Sequence, residues 1–457
     1  MPETFYPRVP PNRLPLITIP LRGTTAVPTR CPRLALHSLL AVLCAACVCA
    51  TATPSVASAS GSLAGLQTDL AQQLALAGSG SGAYVYDVTA KQALFSERAT
   101  TLRPPASVEK IYTAVTALQR LGPTARLSTT VLGTGHLAAG GVWAGNLYLR
   151  GGGDPTFGTT SFIHSHYSGE GASVSALVSQ LVRTDGIRRV TGSVEGDESY
   201  LDSLRGEPSS DYAPDPFLEG TLSGLAFNRG ASGRERGAHA PAAYAAHELL
   251  SALKNDGVIV HGSSGAAPTP VGATQLAKAQ SPTIAQLLGL TLPPSDNFFA
   301  ETLVKDLGAG FGGAGTTAAG AAVVSQTISA VFGIHPHVVD GSGLSPSDRT
   351  SPYEVVDLLA GLATTSLGEA PTSVGSVLRG DLAVAGETGT LAKRMRNTGA
   401  ATHCQGKTGT LTGASNLVGY CDASDGHLLA FAIFTDGILT ETAHVFQDNM
   451  TITIADY

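Results

Sequence analysis

The sequence predicts an α/β domain assembled from two separated stretches of chain, with a mixed α+β domain inserted between them. Three observations predict it. Strand-like runs stand near both ends, at 83–97 and 403–435, and helical patterns fill the ground between them. From about 130 to 285 the texture changes, and short strand-like pieces alternate with turns. At 457 residues the chain has room for two or three domains. The division expected is a leader at 1–59, a first main-domain segment at 60–130, an insertion at 131–284 and a second main-domain segment at 285–457.

The leader comes first. It carries Arg8, Arg13, Arg22, Arg30 and Arg33 against one acid, Glu3, and then an apolar run from Leu34 to Ala50 broken only by His37 and Ser38. Ala57-Ser-Ala59 is an A-x-A processing site. A basic region, an apolar run short for a membrane span and a cleavage site predict a secretory signal peptide, hence export to the periplasm or extracytoplasmic envelope. Left uncut, the same run would hold the protein at the membrane. Without residues 1–59, totals of 28 basic and 35 acidic residues become 23 and 34, a net charge of −11. Such an acidic protein is a poor partner for nucleic acid.

The elements follow in order. Leu63 to Leu76 has helical spacing and ends in a Gly/Ser stretch. Ala83 to Val88 and Gln92 to Glu97 are strands around a turn at Thr89-Ala-Lys91. Pro104-Pro105 stops regular structure, and Ser107 opens a helical run to Leu121. In the insertion, strands are expected at Leu147 to Arg150, Arg189 to Glu195 and Val258 to His261, and a helix at Ala242 to Asn255. Helical patterns resume at Asn297 to Leu307, Thr317 to Phe332 and Pro352 to Thr364, the last with Ser351 as N-cap and proline at its first position. Strands at His403 to Thr410, Asn416 to Cys421 and Leu428 to Thr435 precede a terminal helix. A hairpin turning between Thr412 and Gly413 sets Cys404 opposite Cys421, the two cysteines outside the leader, within reach of a disulfide. Two buried free thiols are the alternative.

Three motifs carry the chemistry: Ser107-Val-Glu-Lys110, Ser295-Asp-Asn297 and Lys407-Thr-Gly409. Together they describe an active-site serine acyl-transferase. Three residues apart on a helix, Lys110 can reach the Ser107 hydroxyl, and the free N–H groups of a helix start favour negative charge. Lysine is a base only when neutral; burial and a neighbouring cation, Lys407, would lower its pKa. Ser295 would pass a proton between Lys110 and the leaving nitrogen. Asn297 can accept from Lys110 and donate to a substrate carbonyl. Asp296 is expected to be structural. Gly409 would let a substrate backbone lie close. Thr408 and Thr410, with Lys407, would hold a carboxylate, and the N–H groups of Ser107 and Thr410 would form the oxyanion hole.

These motifs resemble those of the D-alanyl-D-alanine carboxypeptidase/endopeptidase family, the low-molecular-mass class C penicillin-binding proteins. The resemblance extends to Arg103-Pro-Pro-Ala-Ser-Val-Glu-Lys110, Leu149-Arg-Gly-Gly-Gly-Asp-Pro155, Pro294-Ser-Asp-Asn-Phe-Phe-Ala-Glu301, Asp340-Gly-Ser-Gly-Leu-Ser345, Gly389-Thr-Leu-Ala-Lys-Arg394 and Gly406-Lys-Thr-Gly-Thr-Leu411. It implies a penicilloyl-serine transferase fold, an antiparallel sheet flanked by helices and related to β-lactamases and transpeptidases. It also implies hydrolysis of the terminal D-Ala–D-Ala bond of peptidoglycan stem peptides, with cutting of crosslinks as a companion activity and β-lactams as covalent inhibitors at Ser107. Asp154 would meet the stem's second amino group, or else cap its own turn. The family often nests a third domain in the second; here about a dozen residues separate Phe227-Asn228 from Pro241, so that domain is missing or reduced.

Other signals are weaker. Gly308-Ala-Gly-Phe-Gly-Gly313 fits a dinucleotide fingerprint but follows a helix. Gly386-Glu-Thr-Gly389 mimics the lysine motif without its lysine. His164-Ser-His166 and His335-Pro-His337 lack a third metal ligand, so neither metal nor cofactor is expected. The competing readings are a β-lactamase-like hydrolase, against which the long stretch between Ser107 and Ser295 argues, and a catalytically silent peptidoglycan-binding module.

Overall fold

The computed structural model describes residues 62–230, 239–366 and 373–457. The expected leader at 1–59 lies outside the described residues. Helix α1 (Leu63–Leu76) leads to β1 (Gly82–Asp87) and β2 (Gln92–Glu97), and α2 (Glu109–Arg120) follows a 3-10 turn at Ala106–Val108. Next come β3 (Arg126–Ala138), β4 (Val142–Arg150), α3 (Thr160–Tyr167), α4 (Val174–Ser179), β5 (Arg189–Val190), β6 (Val194–Asp197) and α5 (Pro241–Asn255). Then β7 (Ile259–Val260), β8 (Ser264–Ala266), β9 (Thr274–Thr283), α6 (Ile284–Thr291), α7 (Asn297–Phe311), α8 (Thr317–Phe332), α9 (Pro352–Ser366) and α10 (Val374–Gly380). The chain closes with β10 (Ala383–Val384), β11 (Cys404–Leu411), β12 (Ala414–Asp422), β13 (Leu428–Asp436) and α11 (Thr440–Ala455).

Six strands form one antiparallel sheet in the order β10-β11-β12-β13-β1-β2. It is an α/β sheet buried on both faces, and the period of two along β13 shows it. Ala430, Ala432 and Phe434 pack with Val108, Ile111 and Phe299 on one face; Leu429, Phe431 and Ile433 pack with Leu70 of α1 and Ile454 of α11 on the other. The second sheet runs β7-β5-β4-β3-β9, with β6 on β4 and β8 on β6, and has its own core around Trp143, Phe227 and Leu249.

Three of its strands, β3, β8 and β9, were not expected from sequence. Only one face of β3 is buried, through Leu127, Thr129, Val131 and Gly133, so small and polar residues dilute the pattern. Gly133 is required because a Cβ there would stand 2.3 Å from the Trp143 ring. The strand expected over Arg189 to Glu195 is broken in two at Gly192, where the Asn146 side chain accepts from the Ser193 N–H at 3.0 Å. A Cβ at Gly192 would meet that same Asn146 oxygen at 2.0 Å. The second sheet itself starts at Arg126.

Cys404 and Cys421 are paired in register and joined as a disulfide, with Cα atoms 4.1 Å apart. Residues 60–457, unfolded without reductant, should show no free thiol, and two after reduction. Two thiols before reduction would refute the bridge. Replacing both cysteines by serine should cost about 3 kcal/mol, the scale for a closed loop of this size.

Candidate active site

Ser107 sits in the 3-10 turn that runs into α2, so it lies at the helix start as expected. The turn is held from below. Asn416 on β12 donates from Nδ2 to both the Pro104 and Pro105 carbonyls, at 2.9 and 2.8 Å. Ala106 stands at φ +50°, an uncommon conformation for alanine that turns Ser107 out of the packed layer. Gly409 of β11 lies directly against this turn: a Cβ there would come within 2.4 Å of the Pro105 carbonyl. That is a different reason for glycine from the one expected. The close neighbour is the backbone of the turn that carries Ser107.

Lys110 is 1% exposed and makes three contacts from Nζ: Ser107 Oγ at 3.0 Å, Asn297 Oδ1 at 2.6 Å and the Ser342 carbonyl at 2.7 Å. Burial pulls its pKa down to about 8, against the opposing pull of Asp340, Glu301, Asp296 and Glu109. Lys407, the cation expected to lower it, is itself depressed well below an ordinary lysine, first by burial and then by the charge of Lys110; repulsion between two cations disfavours the charge on both.

Pro293-Pro294 leads into a turn in which Ser295 takes φ +66°. Lys407 Nζ donates to Ser295 Oγ at 2.7 Å and to the Thr408 carbonyl at 2.8 Å. Asp296 is structural as expected. It caps α7 through the Phe299 N–H at 3.0 Å and forms a two-pronged pair with Arg229 at 2.6 and 3.0 Å. The Arg229 guanidinium in turn lies 4.8 Å from the Phe298 ring centre. Asn297 accepts from Lys110, but its Nδ2, expected to meet substrate, donates to the Phe217 carbonyl at 2.7 Å.

Along β11 the Thr408 hydroxyl donates to Thr390 Oγ1 at 2.8 Å, which commits the proton expected to hold a carboxylate; Thr410 is exposed. Thr390 belongs to the 389–394 motif, whose Thr390 N–H is tied to the Pro293 carbonyl at 3.0 Å. Asp154 is 3% exposed and caps its own turn, accepting from the Thr156 N–H at 2.8 Å and hydroxyl at 2.7 Å. Burial raises it to about 6. In this conformation it offers no accessible carboxylate to a stem peptide.

Sequence reasoning missed the role of residues 340–345. Asp340 Oδ1 accepts from the Ser342 and Gly343 N–H groups at 3.1 and 2.6 Å, and Oδ2 from Ser345 at 2.6 Å. Glu301 Oε1 accepts from Gly341 and Ser342 at 2.9 and 2.8 Å. The acid-glycine-serine spacing was visible in the motif; its contact with Lys110, 232 residues away, was not. A separate cavity of about 570 Å³, lined by Tyr84, Tyr86, Phe332, Tyr353 and Asp357 among others, shares no residue with the three motifs.

Burial raises Glu301 to about 8 and Asp348, beside Asp340, to about 9. The folded chain therefore keeps protons that the unfolded chain loses near pH 4. Their contribution to stability is fully present at acid pH and is lost as pH rises through 8–9. Above pH 8 Lys110 works oppositely, since its folded pKa is lowered. The thermal midpoint of Asp348→Asn, relative to the wild type, should therefore improve steadily from pH 5 to 8. A difference constant across that window would contradict the assignment.

The D-Ala-D-Ala carboxypeptidase 3 (S13) family matches residues 63–215 and 219–456. A D-alanyl-D-alanine carboxypeptidase of Actinomadura sp. (strain R39) is 29% identical, covering 89% of this chain and 87% of its own. Carboxypeptidase DacB of Mycolicibacterium smegmatis is 28% identical over 75% of this chain and 73% of its own. Penicillin binding protein 4 of Haemophilus influenzae shares the fold, with a TM-score of 0.67 at 20% identity over 84% of this chain and 97% of that one. Its complex with a β-lactam superposes with a TM-score of 0.64. With the family matched across nearly all the described residues, the chain belongs to the D-Ala-D-Ala carboxypeptidase 3 (S13) family.

Proposed function

We propose that this serine-type D-Ala-D-Ala carboxypeptidase works through an acyl-enzyme at Ser107. The observation that carries the reading is the meeting of three motifs around two lysines: Lys110 on Ser107 and Asn297, Lys407 on Ser295. Neutral Lys110 takes the hydroxyl proton as Ser107 Oγ bonds to the penultimate D-Ala carbonyl carbon. The N–H groups of Ser107 and Thr410 receive the oxyanion. Ser295, held by Lys407, passes a proton to the leaving nitrogen, and the C–N bond breaks to free the terminal D-Ala. Water then attacks the ester with the same groups in reverse. Lys407 and Thr410 hold the terminal carboxylate.

A β-lactam presents the same amide in a ring, so Ser107 attack leaves the drug attached. Membership of a peptidoglycan-acting family implies an extracytoplasmic site of action, and removal of residues 1–59 on export belongs to the same proposal. So does the division of the chain, with residues 131–284 as an accessory module between the two catalytic segments, its sheet beginning slightly earlier at Arg126, and with the nested third domain missing or reduced. Residues 231–238, where that domain would stand, lie outside the described residues.

The test is release of D-alanine from a synthetic stem peptide ending in D-Ala–D-Ala, measured beside intact mass after penicillin treatment. Free D-alanine and a long-lived penicilloyl adduct support the carboxypeptidase. Rapid penicillin hydrolysis without peptide cleavage would favour a β-lactamase. Neither activity would leave a binding module.

A further inference from the structure

Lys110 has three partners, and they differ in one respect. The Ser342 carbonyl can only accept a hydrogen bond. Asn297 Oδ1 likewise only accepts, since the other end of that amide donates to Phe217. Ser107 Oγ alone can also donate. A protonated lysine has three N–H groups for the three. A neutral lysine has two, and the two acceptor-only partners claim them. Its lone pair is then left facing the Ser107 hydroxyl. The site thus fits both protonation states with no heavy atom moved, provided the Ser342 carbonyl stays where it is.

That carbonyl belongs to a loop with little freedom. Glu301 Oε1 binds the N–H groups of Gly341 and Ser342 together, and the Thr113 hydroxyl of α2 donates to the Gly341 carbonyl at 2.9 Å. The loop is wedged in place: a Cβ at Gly341 would meet the Ala300 carbonyl at 2.6 Å, and one at Gly343 the Ala106 carbonyl at 1.9 Å. Glu301 stands one helical turn beyond Asn297 on α7, so both claims on Lys110 issue from one helix face. Asn297 acts directly and Glu301 through a peptide group.

We propose that Glu301 is a positioning residue for the Ser107 reaction: by holding the Gly341–Ser342 amides it keeps the Ser342 carbonyl on Lys110 and so aims the lone pair of the neutral amine at Ser107. This rests on the acyl-enzyme reading above. Burial and the neighbouring Asp340 raise Glu301. The other charges facing it are Lys110, Glu109, Asp348 and Lys305. Lys110 itself is faced by Glu109, Asp296, Asp340, Glu301 and Lys407.

The test measures the rate of labelling by a fluorescent penicillin against drug concentration and pH, for residues 60–457 and the variants Glu301→Ala and Glu301→Gln. Alanine removes the acceptor, and the maximal acylation rate should fall about 100-fold, the usual scale for an ångström of misplacement, with drug binding unchanged. Glutamine keeps an acceptor oxygen and should recover to within about fivefold of wild type. Its rising pH limb should move to lower pH, because near pH 8 Glu301 is in part the carboxylate that favours protonated Lys110, and glutamine carries no charge there. Labelling of Glu301→Ala at the wild-type rate would overturn the proposal. So would Glu301→Gln as slow as alanine with an unmoved pH midpoint, which is the behaviour of a merely structural side chain. If the alanine variant does not melt cooperatively, the midpoint of the glutamine variant decides. Failure of the wild type to label would instead strike the acyl-enzyme reading itself.

Discussion

Ser107→Ala should lose all covalent penicillin label and lower D-alanine release at least about 10⁴-fold, the scale seen when a serine nucleophile is removed. The structure also predicts what the change leaves alone. The side chain of Ser107 is bonded to Lys110 Nζ at 3.0 Å, and Lys110 keeps Asn297 and Ser342 when that contact goes. The turn itself is held through backbone carbonyls by Asn416. The variant should therefore melt within a few degrees of wild type, as changes that open no core cavity generally do. Intact mass after penicillin treatment gives the covalent result and a thermal scan gives the other. A full-stoichiometry adduct on a well-folded Ser107→Ala would place the nucleophile elsewhere.

The second large effect concerns Lys110. With its pKa brought down to about 8 by burial, the neutral fraction rises as pH passes through 8. If the neutral amine takes the Ser107 proton, acylation should climb tenfold per pH unit below 8 and level off above about 9. Lys110→Met should lower acylation about 10³-fold and abolish the climb. It should also let Lys407 regain protons, since the Lys110 charge is one of the two causes of its depression. A flat wild-type profile between pH 6 and 9 would show that another group takes the proton.

Much of this was legible in advance because the relevant signals are local. Ser107 and Lys110 are three residues apart. Pro293-Pro294 and Ser351-Pro352 mark boundaries by what proline cannot do, and helix α1 begins and ends where its spacing predicts. The Cys404–Cys421 register follows from counting outward from a two-residue turn. What was not legible depends on partners far along the chain. Strand β3 hid because a glycine makes room for Trp143, and a strand with glycines in it looks like a loop. The acceptors on Lys110 could be named only in part, because a backbone carbonyl such as that of Ser342 carries no side-chain signature. Nor can sequence say how deeply a lysine is buried, and burial is the first cause of the lowered pKa of both Lys110 and Lys407.

The order of strands in the six-stranded sheet bears on the birth of the enzyme. Strand β1, near the start of the described chain, pairs with β13, near its end, while Lys407 and Asn416 sit on β11 and β12, made after most of the described elements. Until β11 and β12 have emerged, the Ser107 turn lacks the amide that braces it and Ser295 lacks the lysine bonded to it. Such long-range closure is slow compared with local folding. On the acyl-enzyme reading, a growing or truncated chain without them should take no label, however much helix it has made. Penicillin labelling should then report more than the presence of a serine: a labelled molecule would be one whose folding has carried β11 and β12 into place beside Ser107.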